Sequence, residues 1–200
     1  MNRFSQILGL GAALLLSGCL GTGGETPAQQ TYTLAAPHTA PANAAAAPTA
    51  VLSVLTPDTA SGLHNDRIAL LQSGHRLDYF AGARWSGPLP DLVQTLAAEA
   101  LQDGGPFRSV QADNAPFAAD YQLQLRVRHF EADYSGGAPV AHVAIDAILG
   151  RSADRSIVQT LTLESSVAAA SDRMGPIINA FQQATSDALQ QLATQLKPPN

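Results

Sequence analysis

The one cysteine of this 200-residue chain, Cys19, closes the run Leu16-Ser17-Gly18-Cys19. Ahead of it lie a short start carrying Arg3 and an apolar stretch from Ile7 to Leu16. A positive start, an apolar run and a small-residue cleavage box make a secretory signal over residues 1–18. With Cys19 directly after the cut, the expected chemistry is lipidation. A diacylglyceryl group alkylates the thiol, the chain is cut before Cys19, and the freed amino group takes a further acyl chain of the palmitate type. A membrane span needs about 20 apolar residues, and only about a dozen stand here before Gly21-Thr22-Gly23-Gly24. Two chains already suffice for stable anchoring at about 0.8 kcal/mol per buried CH2. The lipid membrane is therefore an expected partner through Cys19. Leu20 is not the Asp that holds many bacterial lipoproteins in the inner membrane, so the expected site is the outer membrane, facing the periplasm.

Other side chains offer little chemistry. A serine nucleophile wants a G-x-S-x-G elbow. The nearest fragment, Arg84-Trp85-Ser86-Gly87, lacks the preceding glycine and leads into Pro88. Lys197 is the only lysine, so no Walker-type phosphate loop can form. No two carboxylates stand at a spacing that signals a glycosidase pair. The reading is not an enzyme, with no catalytic residues and no cofactor beyond the lipid on Cys19. Trp85, the only tryptophan, is either a core anchor or, with Arg84, a contact for a partner protein, since Trp and Arg are enriched at interface hot spots. Tyr134, at a hairpin tip, is a second candidate contact.

Composition narrows the partners. Net charge is −5, and removing residues 1–18, whose only charge is Arg3, takes it to −6. Nucleic acid and anionic headgroups favour basic surfaces, so neither is expected as a main partner. At 46% hydrophobic the chain can bury a core, and with Cys19 lipidated no disulfide is available to support it.

The elements follow from periodicity. Residues 19–50, rich in Ala and Pro, read as the lipidated cysteine and a flexible tether. Tyr32-Thr33-Leu34 within it is an apolar island, expected as a short strand on the domain edge. A single domain is expected over 51–197. Val51 to Leu55 is a strand ending before Pro57, and Arg67–Leu71 and Arg76–Phe80 flank Ser73-Gly74 as a hairpin. Leu89, Leu92, Val93, Leu96, Ala100 and Leu101 recur at helical spacing behind Pro88, and Gly104-Gly105-Pro106 stops that helix. After a short strand near Phe107–Gln111, strict alternation marks Tyr121–Arg128, Ala141–Leu149 and Ile157–Val167 as an antiparallel meander. A long closing helix carries Met174, Ile177, Ile178, Phe181, Ala188, Leu192 and Leu196 on one stripe, with Ser171 or Asp172 as its cap. Two amphipathic helices on one face of a mostly antiparallel sheet give a two-layer α+β fold.

The same alternation bears on His38, His64, His75, His129 and His142. If odd residues oppose odd ones across the first hairpin of the meander, with Val127 near Val143 or Ile145, then His129 and His142 fall on opposite faces. No thiolate or H-E-x-x-H motif is present either, so no metal site is expected.

The order of these parts resembles the ABC-type transport auxiliary lipoproteins. The resemblance rests on the box ending in Cys19, Tyr32-Thr33-Leu34, Asp66-Arg67-Ile68-Ala69-Leu70, Leu77-Asp78-Tyr79-Phe80, Arg84-Trp85 with Pro88-Leu89, the alternating strands and the Ala-rich last helix. It implies a subunit that works through protein–protein contact with an MCE-domain periplasmic protein and an ABC transporter permease/ATPase complex. Such systems move phospholipid or other lipids between inner and outer membranes. The resemblance carries over no catalytic residue and leaves homo-oligomerisation open. The alternative is a stand-alone periplasmic lipid- or small-ligand-binding lipoprotein, with an apolar cavity of several hundred Å3 between helices and sheet.

Overall fold

The computed structural model describes residues 29–38 and 49–197; the expected signal and Leu16, Ser17, Gly18 and Cys19 lie outside them. In chain order the elements are β1 (Gln30–Tyr32), β2 (Val51–Val54), β3 (Asp58–Thr59), β4 (Arg67–Gln72), β5 (Arg76–Trp85), α1 (Leu89–Gly104), β6 (Ser109–Ala112), β7 (Tyr121–Asp133), β8 (Val140–Arg151), β9 (Ile157–Ala168) and α2 (Met174–Gln195).

The sheet is built around β7. One of its edges takes β8, which pairs on to β9, and both ladders are antiparallel, as the alternation requires. The other edge is shared end to end by three short strands, all parallel to it. β2 lies against Tyr121–Leu123, β3 against Arg126–Val127, and β4 against Glu131–Asp133. β2 passes on to β6, and β4 passes on to β5 and then β1. The nine-stranded sheet is therefore mixed, antiparallel in its long ladders and parallel in most of its short ones. The expected α+β class holds. Direction was not legible for the short strands, because four apolar residues bury equally well either way up.

One irregularity sets the register. Val127 faces Ile145, but His129 faces Ala144, so Arg128 is the extra residue of a β-bulge. Ahead of the bulge Leu123, Leu125 and Val127 are buried; beyond it Phe130 and Ala132 are. The odd-to-odd pairing expected from the sequence holds up to Val127 and fails after it, where Glu131 faces His142.

The helices bury the expected stripes, Leu89 to Leu101 on α1 and Ile177 to Leu192 on α2, with Leu196 buried just past its end and Met174 half-buried at its start. α2 lies over β8 and β9, while α1 contacts β2, β6 and α2. Neither helix has a side-chain cap. Pro88 holds the first position before α1, and the Leu89 N–H donates to the Asn65 carbonyl at 2.9 Å. Before α2 that position is Arg173, not the expected Ser171 or Asp172. Asp172 instead accepts a 2.6 Å hydrogen bond from the Tyr134 hydroxyl. At the far end Gln159 brackets the helix terminus: its amide donates to the Gln195 carbonyl and its oxygen accepts from Lys197 N–H.

Three rings join the two layers. Trp85 ends β5 and meets Phe130 of β7 edge-on at 5.7 Å and Phe181 of α2 edge-on at 5.3 Å. Phe130 and Phe181 stack at 5.4 Å. All three are at most 1% exposed. Such aromatic pairs add about 0.5–1.5 kcal/mol each beyond their burial. Trp85→Ala should therefore cost about 3–5 kcal/mol in chemical denaturation. Ile157→Ala, on a side chain 69% exposed, should stay within about 0.5 kcal/mol. Equal effects of the two substitutions would contradict this account of the core.

Candidate functional site

Arg84 and Trp85 are neighbours on β5 and so point to opposite faces. Trp85 faces inward at 1% exposure and is unavailable to a partner, so of its two expected roles the contact is corrected and the core anchor stands. Arg84 faces outward. Its guanidinium sits 3.6 Å from Asp66 and donates to Thr31 Oγ1 of β1 at 3.5 Å. Arg84 thus braces the N-terminal segment to the sheet.

That segment is held at further points. β1 pairs in parallel with Ala83–Trp85, Leu34 is buried, and Gln182 of α2 takes both backbone groups of Ala35. The Gln182 amide donates to the Ala35 carbonyl, and its oxygen accepts from the Ala35 N–H, each at 2.9 Å. The stretch expected as a flexible tether over 19–50 is therefore docked across Gln30–Ala35, and an edge strand is present at Gln30–Tyr32, two residues ahead of the expected Tyr32–Leu34.

Tyr134 stands where the β4–β5 and β7–β8 turns meet. Its N–H donates to the Leu71 carbonyl at 2.8 Å, and its ring leans on Phe80 at 6.4 Å. With Leu70, Gln72, Ser73 and Arg76 it lines an open depression of about 430 Å3. A second, of about 620 Å3, runs between the docked segment at Leu34–Ala36 and α1 at Ala98–Asp103. Both open on the surface; the layer between α2 and the sheet is occupied by Trp85, Phe130 and Phe181. Among the described residues no helix is long and apolar enough to cross a membrane.

The bulge brings together a group that regular alternation separates. His129 and His142 stack face to face, 4.4 Å between centroids and 17° from parallel. Glu131, 4% exposed, reaches both: its Oε1 lies 2.7 Å from His129 Nδ1 and 3.7 Å from His142 Nδ1. Its Oε2 accepts from the Phe130 N–H at 2.7 Å. On the other side of His142, Nε2 lies 3.2 Å from Glu164 Oε1 of β9. The expectation that the two histidines occupy opposite faces is corrected by the one extra residue in β7. A signal for it was present: apolar residues run 123, 125, 127 and then 130, 132, a step of three where a strand allows two.

A family model described as the ABC-type transport auxiliary lipoprotein component matches residues 32–196. Among solved structures the chain is similar to protein XCC0632 from Xanthomonas campestris, of the DUF330 family. The two are 26% identical with a TM-score of 0.74, over 82% of this chain and 92% of that one. It is also similar to a crystal structure of an uncharacterized protein, at 12% identity and a TM-score of 0.65, over 85% of this chain and 99% of that one. At that identity the likeness is one of fold. No curated protein matches.

Burial and the bond to Asp172 push the Tyr134 phenol up to about 12. A raised phenol pKa means the folded state keeps a proton that the unfolded chain gives up from about pH 10. The contribution to stability is complete below pH 10 and lost as the pH climbs toward 12. In an alkaline titration followed by phenolate absorbance, one of the four tyrosines should ionise late. Tyr134→Phe should remove that late step and nothing else. A variant curve still showing the late step would assign it to another tyrosine.

Proposed function

The chain belongs to the ABC-type transport auxiliary lipoprotein family, and from that premise we propose that it is the membrane-tethered docking subunit of an envelope lipid-transport system. The family describes a transport component rather than an enzyme, and it is the observation that carries this reading. Cys19 takes the diacylglyceryl and acyl chains and fixes the protein to the outer membrane, facing the periplasm. An MCE-domain periplasmic protein binds the folded body, and an ABC permease and ATPase supply the energy from the other membrane. The cargo is phospholipid or a related lipid.

The packing supports contact over internal carriage. A carrier would hold an acyl chain between helices and sheet, where this chain has three interlocked rings. The turn end around Tyr134, Gln72 and Arg76 offers an open, mixed polar and apolar surface suited to a protein partner. Arg84, committed to Asp66 and Thr31, contributes to that reading only by holding β1.

Two measurements test it. Mass spectrometry of the mature protein should find residues 1–18 removed and diacylglyceryl and acyl mass on Cys19, and Cys19→Ala should show neither change. A photo-crosslinking residue in place of Gln72 should capture an MCE-domain protein in cells, and the same probe at exposed Ile157 should not. A mature protein that carries no acyl mass would overturn the anchor. An empty Gln72 crosslink together with unchanged envelope phospholipid on deletion of the protein would overturn the transport role.

A further inference from the structure

Glu131 is a buried carboxylate with an unusual set of neighbours. Among the described residues, the only basic side chains within 4 Å of it are His129 and His142, and neither carries a permanent charge. A buried charge needs an opposite charge or enough hydrogen bonds to replace water. The Phe130 N–H satisfies Oε2. Oε1 pairs with His129 Nδ1 at 2.7 Å and faces His142 Nδ1 at 3.7 Å.

The tautomers sharpen the problem. Glu164 Oε1 lies 3.2 Å from His142 Nε2 and, being a carboxylate, can only accept, which places the His142 proton on Nε2. His142 Nδ1 then presents a lone pair toward Glu131 Oε1, 3.7 Å away. In the neutral ring two acceptors face each other, and either a proton or a metal ion between them relieves the contact. His129 Nδ1 completes the set, and one donor atom from each of the three residues lies within 4.8 Å of the others.

The geometry points to a divalent transition-metal site formed by His129, Glu131 and His142, with zinc as the best match. Two imidazole nitrogens and one carboxylate oxygen are a recognised zinc donor set, and three protein donors leave the fourth tetrahedral position to water. Glu164 fills the outer role such sites use, accepting the other ring N–H of a ligating histidine and so fixing its orientation. The 2.7 Å gap between His129 Nδ1 and Glu131 Oε1 would widen to about 3.3 Å around an ion bonded at about 2.0 Å. The two rings, stacked 17° from parallel, would also splay so that both Nδ1 lone pairs converge on one ion; the His129 side chain, 42% exposed, has the freedom to make these moves and leaves a path for the ion. Bound there, the metal ties β7 to β8 immediately after the bulge. It would hold the register that buries Phe130. This site is independent of the transport reading, since its donors all come from this chain.

The test uses the full chain in detergent, carrying no polyhistidine tag, stripped with a chelator and titrated with Zn2+ alone. One zinc per chain should bind, and the thermal midpoint should rise with zinc concentration. Co2+ in its place should give the strong visible absorption of a four-coordinate ion. His129→Phe and His142→Phe keep a ring in the stack and remove a donor; each should abolish both signals. Glu164→Gln leaves all three donors and should weaken zinc binding about 10–100-fold. The control His64→Gln should bind as the parent does. The inference is overturned if the parent gains no stability with zinc. It is also overturned if either Phe variant, folded by circular dichroism, binds zinc as tightly as the parent.

Discussion

One extra residue in the longest strand governs both faces of this sheet. Without the bulge at Arg128, strict alternation from Leu123 would turn Phe130 to the outer face and Glu131 toward the helices. Burying an apolar side chain the size of Phe contributes about 1.5–3 kcal/mol. Burying an unpaired carboxylate among Trp85 and Phe181 would cost several. The bulge buries Phe130 and turns Glu131 to the outer face, where it is still buried but pairs with the Phe130 N–H and His129 Nδ1. The loss is one ladder pairing, and the Arg128 guanidinium, 3.0 Å from Asp146 of β8, keeps a bond across the gap. The favourable terms are much the larger, so the bulged register wins.

The bulge also divides the sheet. On the edge of β7 away from β8 it falls between the β3 pairing at Arg126–Val127 and the β4 pairing at Glu131–Asp133. A bulge bends a strand and increases its twist. β2 and β6 continue one end of β7, while β4, β5 and β1 continue the other. A single 13-residue strand thereby supports two separate strand sets. The ring cluster lies just beyond the division, where Trp85 arrives from one set, Phe130 from β7 and Phe181 from the helix layer.

How much of this was legible in the sequence depends on whether a residue's environment is set locally or at a distance. Alternation in Tyr121–Arg128, Ala141–Leu149 and Ile157–Val167 gave the meander, and the 3.6-residue spacing of Leu and Ile gave both helix stripes, because each pattern reports one buried face. The break between Val127 and Phe130 is equally visible, and only an alternation extended unbroken through it puts the two histidines on opposite faces. Other features had no local signal. Asp172 is a good capping residue by type, but its carboxylate is taken by Tyr134, 38 positions away. Arg84 and Trp85 look like an interface pair side by side; period two sends one to the core and the other to β1. The parallel pairing of β2, β3 and β4 depends on which edge of β7 is vacant, which composition does not encode.

Under the proposed lipidation of Cys19, the docked N-terminal segment changes the mechanics of the anchor. If residues 20–50 were all free chain, full extension would carry the folded body about 100 Å from Cys19. β1 begins at Gln30, so ten residues separate it from Cys19, and these reach at most about 35 Å. With lipid on Cys19, the strand pairing to β5 and the Gln182 clamp on Ala35 therefore decide how far the domain can stand from the bilayer. A shorter leash confines the domain to a smaller volume and raises its effective concentration for a partner that reaches this membrane. It also limits which partners qualify. One must bring its own surface to within that distance, because releasing β1 to extend the reach would expose Leu34 and free the Arg84 brace.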